Sequence, residues 1–319
     1  MAAAVRYRDG PESCNSYPED AGGNGMISFT FDDGNASVRS AAEPILRRYG
    51  MVATVGAICN PVFWNNTQAF MGPDDLHYLA QAGWEIASHS LFHRRLALLP
   101  PSYEDESASW QYDSTTGVWS AACPWGDVGT VACGGRYLKR ATSAEHFKAM
   151  VAGFLIEPEK TVIHVKTTDK KLVPDSLRLG SAEREIVESR DVFRQNGFDT
   201  GVFVVPFSGW SPRLQAIGTK YYSLIACGGA AFNTRETISR KLVSRFGTGR
   251  DVSTEDVIAR LEDHLSHNSW GIVLLHDLVS EMRGKWKWTI SQFESVVKWV
   301  SDKNVPVYTL SEGARRMVA

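Results

Sequence analysis

The 319-residue chain is 43% hydrophobic and 22% charged, enough to bury a large core in one big α/β domain or two smaller ones. A formal net charge of -2 leaves no overall electrostatic footprint for nucleic acid or an anionic membrane. No stretch approaches the roughly 18 uninterrupted apolar residues of a membrane span, and the opening Met1-Ala2-Ala3-Ala4-Val5-Arg6-Tyr7 runs into polar residues without a signal-peptide core.

Residues 1–25, rich in Gly, Pro, Ser and Asn, read as an irregular lead-in, and the core domain is expected over 26–319. Strand-like and helix-like stretches then alternate. Ile27–Phe31 is extended; Ser37–Tyr49 is helical with Gly50 ending it; Val52–Ile58 is extended; Asp74–Ala82 is helical before Gly83; Trp84–Ser88 is extended. Between about 100 and 180 the rhythm breaks. Ser102–Arg136 is Ser-, Trp- and Gly-rich, Ala144–Phe154 reads as helical and Thr161–Thr167 as a strand, so this region is taken as an insertion beside the core. The alternation resumes with Ala182–Asn196 (helix), Gly201–Val205 and Tyr222–Ala226 (strands), Thr254–Ser266 (helix), Gly271–Leu275 (strand), Thr289–Lys303 (helix) and Val305–Thr309 (last strand). Such a rhythm argues for a parallel sheet wrapped by helices, and the absence of an internal repeat favours one barrel-like domain over two.

Several of these strand-like runs end in polar groups. Thr30-Phe31 is followed by Asp32-Asp33-Gly34. Neighbours on a strand point to opposite faces, so two carboxylates converging on one site need the chain to turn, which Gly34 permits. The pair reads either as a polar turn or as one metal ligand beside one free base. After Trp84–Ser88 come His89-Ser90-Leu91-Phe92-His93, two histidines at i, i+4 that would face one side of a helical turn and could offer neutral imidazoles to a metal. Ile272–Leu275 leads into His276-Asp277, and Val204-Val205 into Pro206-Phe207-Ser208-Gly209-Trp210. In a parallel α/β architecture the carboxyl ends of the strands gather on one face, where active sites lie.

The other chemistry-bearing residues say less. Cys14, Cys59, Cys123, Cys133 and Cys227 form no Cys-x-x-Cys pair. Cys123 and Cys133 bracket a turn-rich loop that a disulfide could pin in an oxidising compartment, or they are reduced, partly buried thiols. Ten tryptophans are many for this length and lend weak support to a sugar-like ligand.

In their order, Thr30-Phe31-Asp32-Asp33-Gly34, His89-Ser90-x-x-His93 and Leu275-His276-Asp277 resemble the signature motifs of the NodB-type polysaccharide deacetylases, carbohydrate esterase family 4, over about Met26 to Glu312. The resemblance implies a distorted (β/α) barrel with fewer than eight strands and a large insertion after the second motif. It implies Asp33, His89 and His93 as ligands of a divalent metal, usually Zn2+, Asp32 as general base and His276 as general acid. Pro206-Phe207 falls where the family has a Pro-aromatic loop, so the Phe207 N–H would help bind an oxyanion. Many members carry an arginine just before that loop, where Val204-Val205 stand here. Arg245, in Leu242-Val243-Ser244-Arg245-Phe246, could supply that charge from another segment or could be a solvated surface residue, and Trp210, Trp286 and Trp288 could line a sugar cleft or lie in the core.

The favoured expectation is a metal-dependent hydrolase removing N-acetyl groups from an N-acetylated polysaccharide. The alternatives are a catalytically weak glycan-binding module on the same scaffold, or an O-acetyl esterase. Neither nucleic-acid binding nor membrane insertion is expected. Polymeric glycans lie outside the cytoplasm, so an extracellular or particle-associated setting is expected, reached from a larger secreted parent or by a leaderless route.

Overall fold

The computed structural model describes residues 25–99, 109–123, 131–133, 136–169, 177–179, 181–282 and 284–318. The lead-in before Gly25, with Cys14, and much of the 102–136 segment lie outside the described residues.

Strands β1 (Ile27–Phe31), β2 (Thr54–Ala57), β3 (Glu85–Ser88), β4 (Val202–Val204), β5 (Leu224–Gly228), β6 (Leu242–Gly247) and β7 (Gly271–Leu275) close into a barrel in the order β1-β7-β6-β5-β4-β3-β2. Every neighbouring pair is parallel. This is the expected (β/α) barrel, one strand short of the regular eight. Its pairing is uneven. β1 and β7 are matched over five residues, Ile27 with Gly271 through Phe31 with Leu275, whereas β3 and β4 share the single pair Ser88–Phe203.

Two-residue alternation along β1 sorts its side chains. Phe29 and Phe31 point outward and meet Phe293 edge-on, with ring centroids 5.6 and 5.5 Å apart. Phe293 belongs to the helix Ile290–Asp302, whose buried face also carries Val296, Val297 and Val300. Ser28 and Thr30 take the other face and satisfy their hydroxyls inside the barrel, on the carbonyls of Tyr308 and Val273.

Between β3 and β4 the chain builds two small sheets. One is antiparallel, in the order Gln111–Asp113, Val118–Ala122, Val162–Lys166, Gly153–Glu157; the other joins Leu177–Leu179, Val131–Cys133 and Arg136–Tyr137. Trp119, Cys123, Cys133, Phe154, Ile163 and Val165 give this region an apolar core of its own. Cys123 and Cys133 are both buried there.

Three expectations are corrected. The helix read over Ala144–Phe154 ends at Ala149, because Met150 turns extended (ψ 143°) and Gly153–Glu157 pairs with Val162–Lys166 instead. Val305–Thr309 is no barrel strand. It makes one bridge, Val307 to Ile27; Pro306 has no N–H to give a ladder, and both edges of β1 are already taken by β2 and β7. Leu242–Gly247, not read as a strand, is β6. No helix among the described residues is long and apolar enough to cross a membrane.

Candidate active site

The first carboxylate pair sits where β1 meets the barrel rim. Asp32 extends the strand's ladder by one residue, its N–H donating to Leu275 O at 2.9 Å. The chain then turns within the pair: Asp33 itself adopts φ 72° and Gly34 φ 76°. Sequence reasoning gave the turn to Gly34 alone. Asp33 shares it because a short polar side chain tolerates the left-handed region better than most.

His89 and His93 reach the same place without a helix. The loop between them is irregular, with Ser90 at φ 64° and His93 at φ 53°, so the expected helical turn is replaced by two left-handed residues. The loop is held by its own bonds. His93 N–H donates to Ser90 Oγ at 2.9 Å, and Asn60 Nδ2 donates to Leu91 O. Asp33, Ser90, His93, Phe207 (φ 55°) and Ser208 (φ 57°) are all left-handed and all belong to this rim. Strain of about 1–3 kcal/mol per such residue persists only where the surroundings impose it, and it gathers at functional sites.

Asp33, His89 and His93 form a candidate metal centre, with one ligand atom from each lying within 4.8 Å of the others. Nε2 of His89 and of His93 stand 3.4 and 3.2 Å from the same oxygen, Asp33 Oδ1. That oxygen is buried and has no hydrogen-bond partner. His89 Nδ1 faces Val204 O at 2.9 Å, so it must carry a proton; burial opposes a charge on the ring, but the carboxylates of Asp32 and Asp33 outweigh it and raise the pKa of His89, and a cation would have to displace the Nε2 proton. Burial, with His89 alongside, lowers His93 to about 4 and keeps it neutral. Two imidazole nitrogens and one carboxylate oxygen thus converge on one point, a donor set that suits a divalent cation.

Asp32 has a different neighbour. Arg245 of β6, fully buried, donates from Nη1 to Asp32 Oδ1 at 2.6 Å and from Nη2 to Oδ2 at 3.0 Å, and its Nη1 also reaches Thr30 Oγ1 at 3.1 Å. The fork fixes both carboxylate oxygens in one plane. Burial alone would raise the Asp32 pKa; the charges of Arg245 and His89 outweigh it and hold the carboxyl below its ordinary value. Of the two readings open for Arg245, the buried one is observed.

The two aspartates, both histidines, Arg95, Phe207, Trp286 and His276 line one cavity of about 480 Å³. Phe207 is half-exposed between His93 and Arg95, 4.5 Å from the one ring and 4.4 Å from the other's guanidinium carbon. His276 stands at the end of β7 with its Nδ1 buried and unpartnered among the described residues. Pro206 is buried beneath the rim. Trp210 is not brought to the cavity: it packs on Phe203 and gives its Nε1–H to Gln215. Trp288 is likewise core, bonded to Val252 O, whereas Trp286 is 58% exposed at the rim.

Glu185, from the helix Ala182–Gln195, was missed. Its Oε2 accepts the N–H groups of Leu91 (3.1 Å) and Phe92 (2.8 Å), the residues between Ser90 and His93. The signal was present: Glu185, Ser189 and Phe193 lie four apart on one buried face. Burial raises the Glu185 pKa from 4.5 to about 7. Between those values the folded protein holds a proton that the unfolded chain releases, so stability falls as pH rises through the window and levels off above it. Glu185→Gln stays neutral and can still accept both N–H groups. Urea titrations at pH 5 and pH 8 are expected to show the variant gaining on the wild type by up to about 3 kcal/mol at the higher pH.

A parallel barrel whose rim pairs an arginine-held carboxylate with an Asp-His-His cluster defines a hydrolase-type site. Residues 19–141, which contain the first two motifs, match the family model described as polysaccharide deacetylase. No curated protein matches it. Among solved structures, the chain is similar to the peptidoglycan deacetylase PdaC from Bacillus subtilis (14% identity, 92% of each chain, TM-score 0.46). It is also similar to a family 4 carbohydrate esterase from Streptomyces lividans in complex with acetate (13% identity, 89% of this chain and 92% of that one, TM-score 0.45). A third is the Xyl-CE4 domain of a multidomain xylanase from the hindgut metagenome of Trinervitermes trinervoides (15% identity, 92% and 91%, TM-score 0.42).

Proposed function

We propose that the chain is a divalent-metal-dependent deacetylase of N-acetylated glycans, with zinc the metal best suited to an Asp-His-His set. The observation that carries this reading is the division of labour within Asp32-Asp33: one carboxylate faces two imidazoles and the other is forked by an arginine in the same cavity. Asp33, His89 and His93 would hold the cation, which would polarise the acetyl carbonyl and acidify a water. Asp32, oriented by Arg245, takes a proton from the attacking water. The Phe207 backbone N–H shares the charge that develops on the carbonyl oxygen. As the C–N bond breaks, His276 gives a proton to the departing nitrogen, leaving acetate and a free amine.

One observation favours a second reading. The unpartnered Nδ1 of His276 leaves that ring without a carboxylate to fix its tautomer, and an alcohol departs with less need of an acid than an amine does. O-acetyl ester hydrolysis by the same residues follows from this. Zinc-loaded protein should release acetate from N-acetylated oligosaccharides, lose that activity on chelation and regain it on metal return. His276→Ala should harm amide hydrolysis far more than ester hydrolysis. Absence of acetate from every N- and O-acetylated glycan tried would leave the binding-module alternative standing.

A further inference from the structure

The chemistry needs His89 and His93 aimed at Asp33, yet the loop between them has no regular structure to aim them. Ser90 and His93 are held at φ 64° and 53°, so the form of the loop depends on where its backbone groups are tied. Its carbonyls are taken by the segment after β2. Cys59 N–H donates to Ser90 O at 3.2 Å, and Asn60 Nδ2 donates to Leu91 O. Its N–H groups go to the far side of the insertion, where Glu185 Oε2 accepts those of Leu91 and Phe92 at 3.1 and 2.8 Å. Ser90 Oγ, which accepts the His93 N–H, interacts with the same carboxyl.

The helix Ala182–Gln195 brings that carboxyl in already aimed. One turn after Glu185, on the same helix face, Ser189 docks on the barrel: its Oγ meets Ser88 Oγ at 2.8 Å, and its carbonyl accepts from Cys59 Sγ at 3.4 Å. Glu185 is itself only 2% exposed. Successive N–H groups that converge on one anion form a nest, a bent conformation in which left-handed residues occur. The carboxylate supplies the anion for this bend, and without it both N–H groups lose their acceptor.

We infer that Glu185 is a positioning residue of the metal centre: it holds the loop in the bend that turns His93 toward Asp33, and so sets the affinity for the cation. This rests on the metal-dependent reading and adds to it a residue that lies outside the cavity lining.

Chelator-competition titration with zinc reads the effect on metal-free protein, without an activity assay. Glu185→Ala should weaken zinc binding about ten- to a hundred-fold, the range found when groups that orient metal ligands are removed. Hydrogen exchange at the Leu91 and Phe92 amides of the metal-free variant should be faster than in wild type. Glu185→Gln, whose carbonyl oxygen can accept both N–H groups, should bind zinc as wild type does. Where the alanine variant fails to fold, Glu185→Asp takes its place: one methylene shorter, it withdraws the oxygen from the N–H groups and should weaken zinc binding in the same way. Wild-type affinity in the folded Ala or Asp variant, or equal weakening by Gln and Ala, would overturn the positioning role and leave the metal centre standing. Wild type that binds no zinc would overturn the metal-dependent reading and this inference together.

Discussion

Asp32→Asn is expected to slow acetate release by about a hundred- to ten-thousand-fold, the range that a positioned general base supplies, while the protein still takes up one divalent ion per chain. The amide keeps the shape of the side chain but cannot accept the proton of the attacking water. Asp33→Ala is expected to do the reverse in one respect: activity is lost because the ion is. Metal analysis after gel filtration, run beside the acetate assay, separates the two. Equal metal loss in both variants would refute the division of roles argued from the Asp33 contacts to His89 and His93 and the Asp32 contacts to Arg245.

Arg245→Met is expected to destabilise the fold by about 3–5 kcal/mol, because it leaves the Asp32 carboxylate, only 3% exposed, without its counter-charge. Catalysis should fall as well, since among the described residues Arg245 alone grips both oxygens of Asp32. The double variant Arg245→Met/Asp32→Asn should recover much of the lost stability, as it removes the stranded charge. Urea unfolding of the wild type, both single variants and the double variant closes the cycle. Additive losses would mean that the two residues are not coupled.

The ease with which the site could be read from the chain follows from distance along it. Asp32-Asp33, His89, His93 and His276 were legible because each directly follows an apolar run, and parallel strands put their carboxyl ends together. Arg245 is 213 residues from its partner, and an arginine set among Leu242, Val243 and Phe246 breaks the apolar pattern that marks a barrel strand. The ion pair that explains the residue is visible only once β6 stands two places from β1 around the barrel, with β7 between them. The His89–His93 spacing matched a helical turn, yet the loop follows its own His93–Ser90 bond and the tertiary contacts to Glu185 instead. The helix Leu310–Val318 was missed for a related reason. Gly313 lies within it, where Trp270 packs so closely that a Cβ would come within 2.4 Å of the indole.

The barrel is thinnest where β3 meets β4, matched through Ser88 and Phe203 alone. His89 crosses that seam, its ring bonded to Val204 O on the far strand. The side chain proposed to offer a nitrogen to a metal is therefore also a stitch in the cylinder. Any ion that immobilises His89 tightens the joint between the half of the barrel before the insertion and the half after it, and so couples occupancy of the site to closure of the fold.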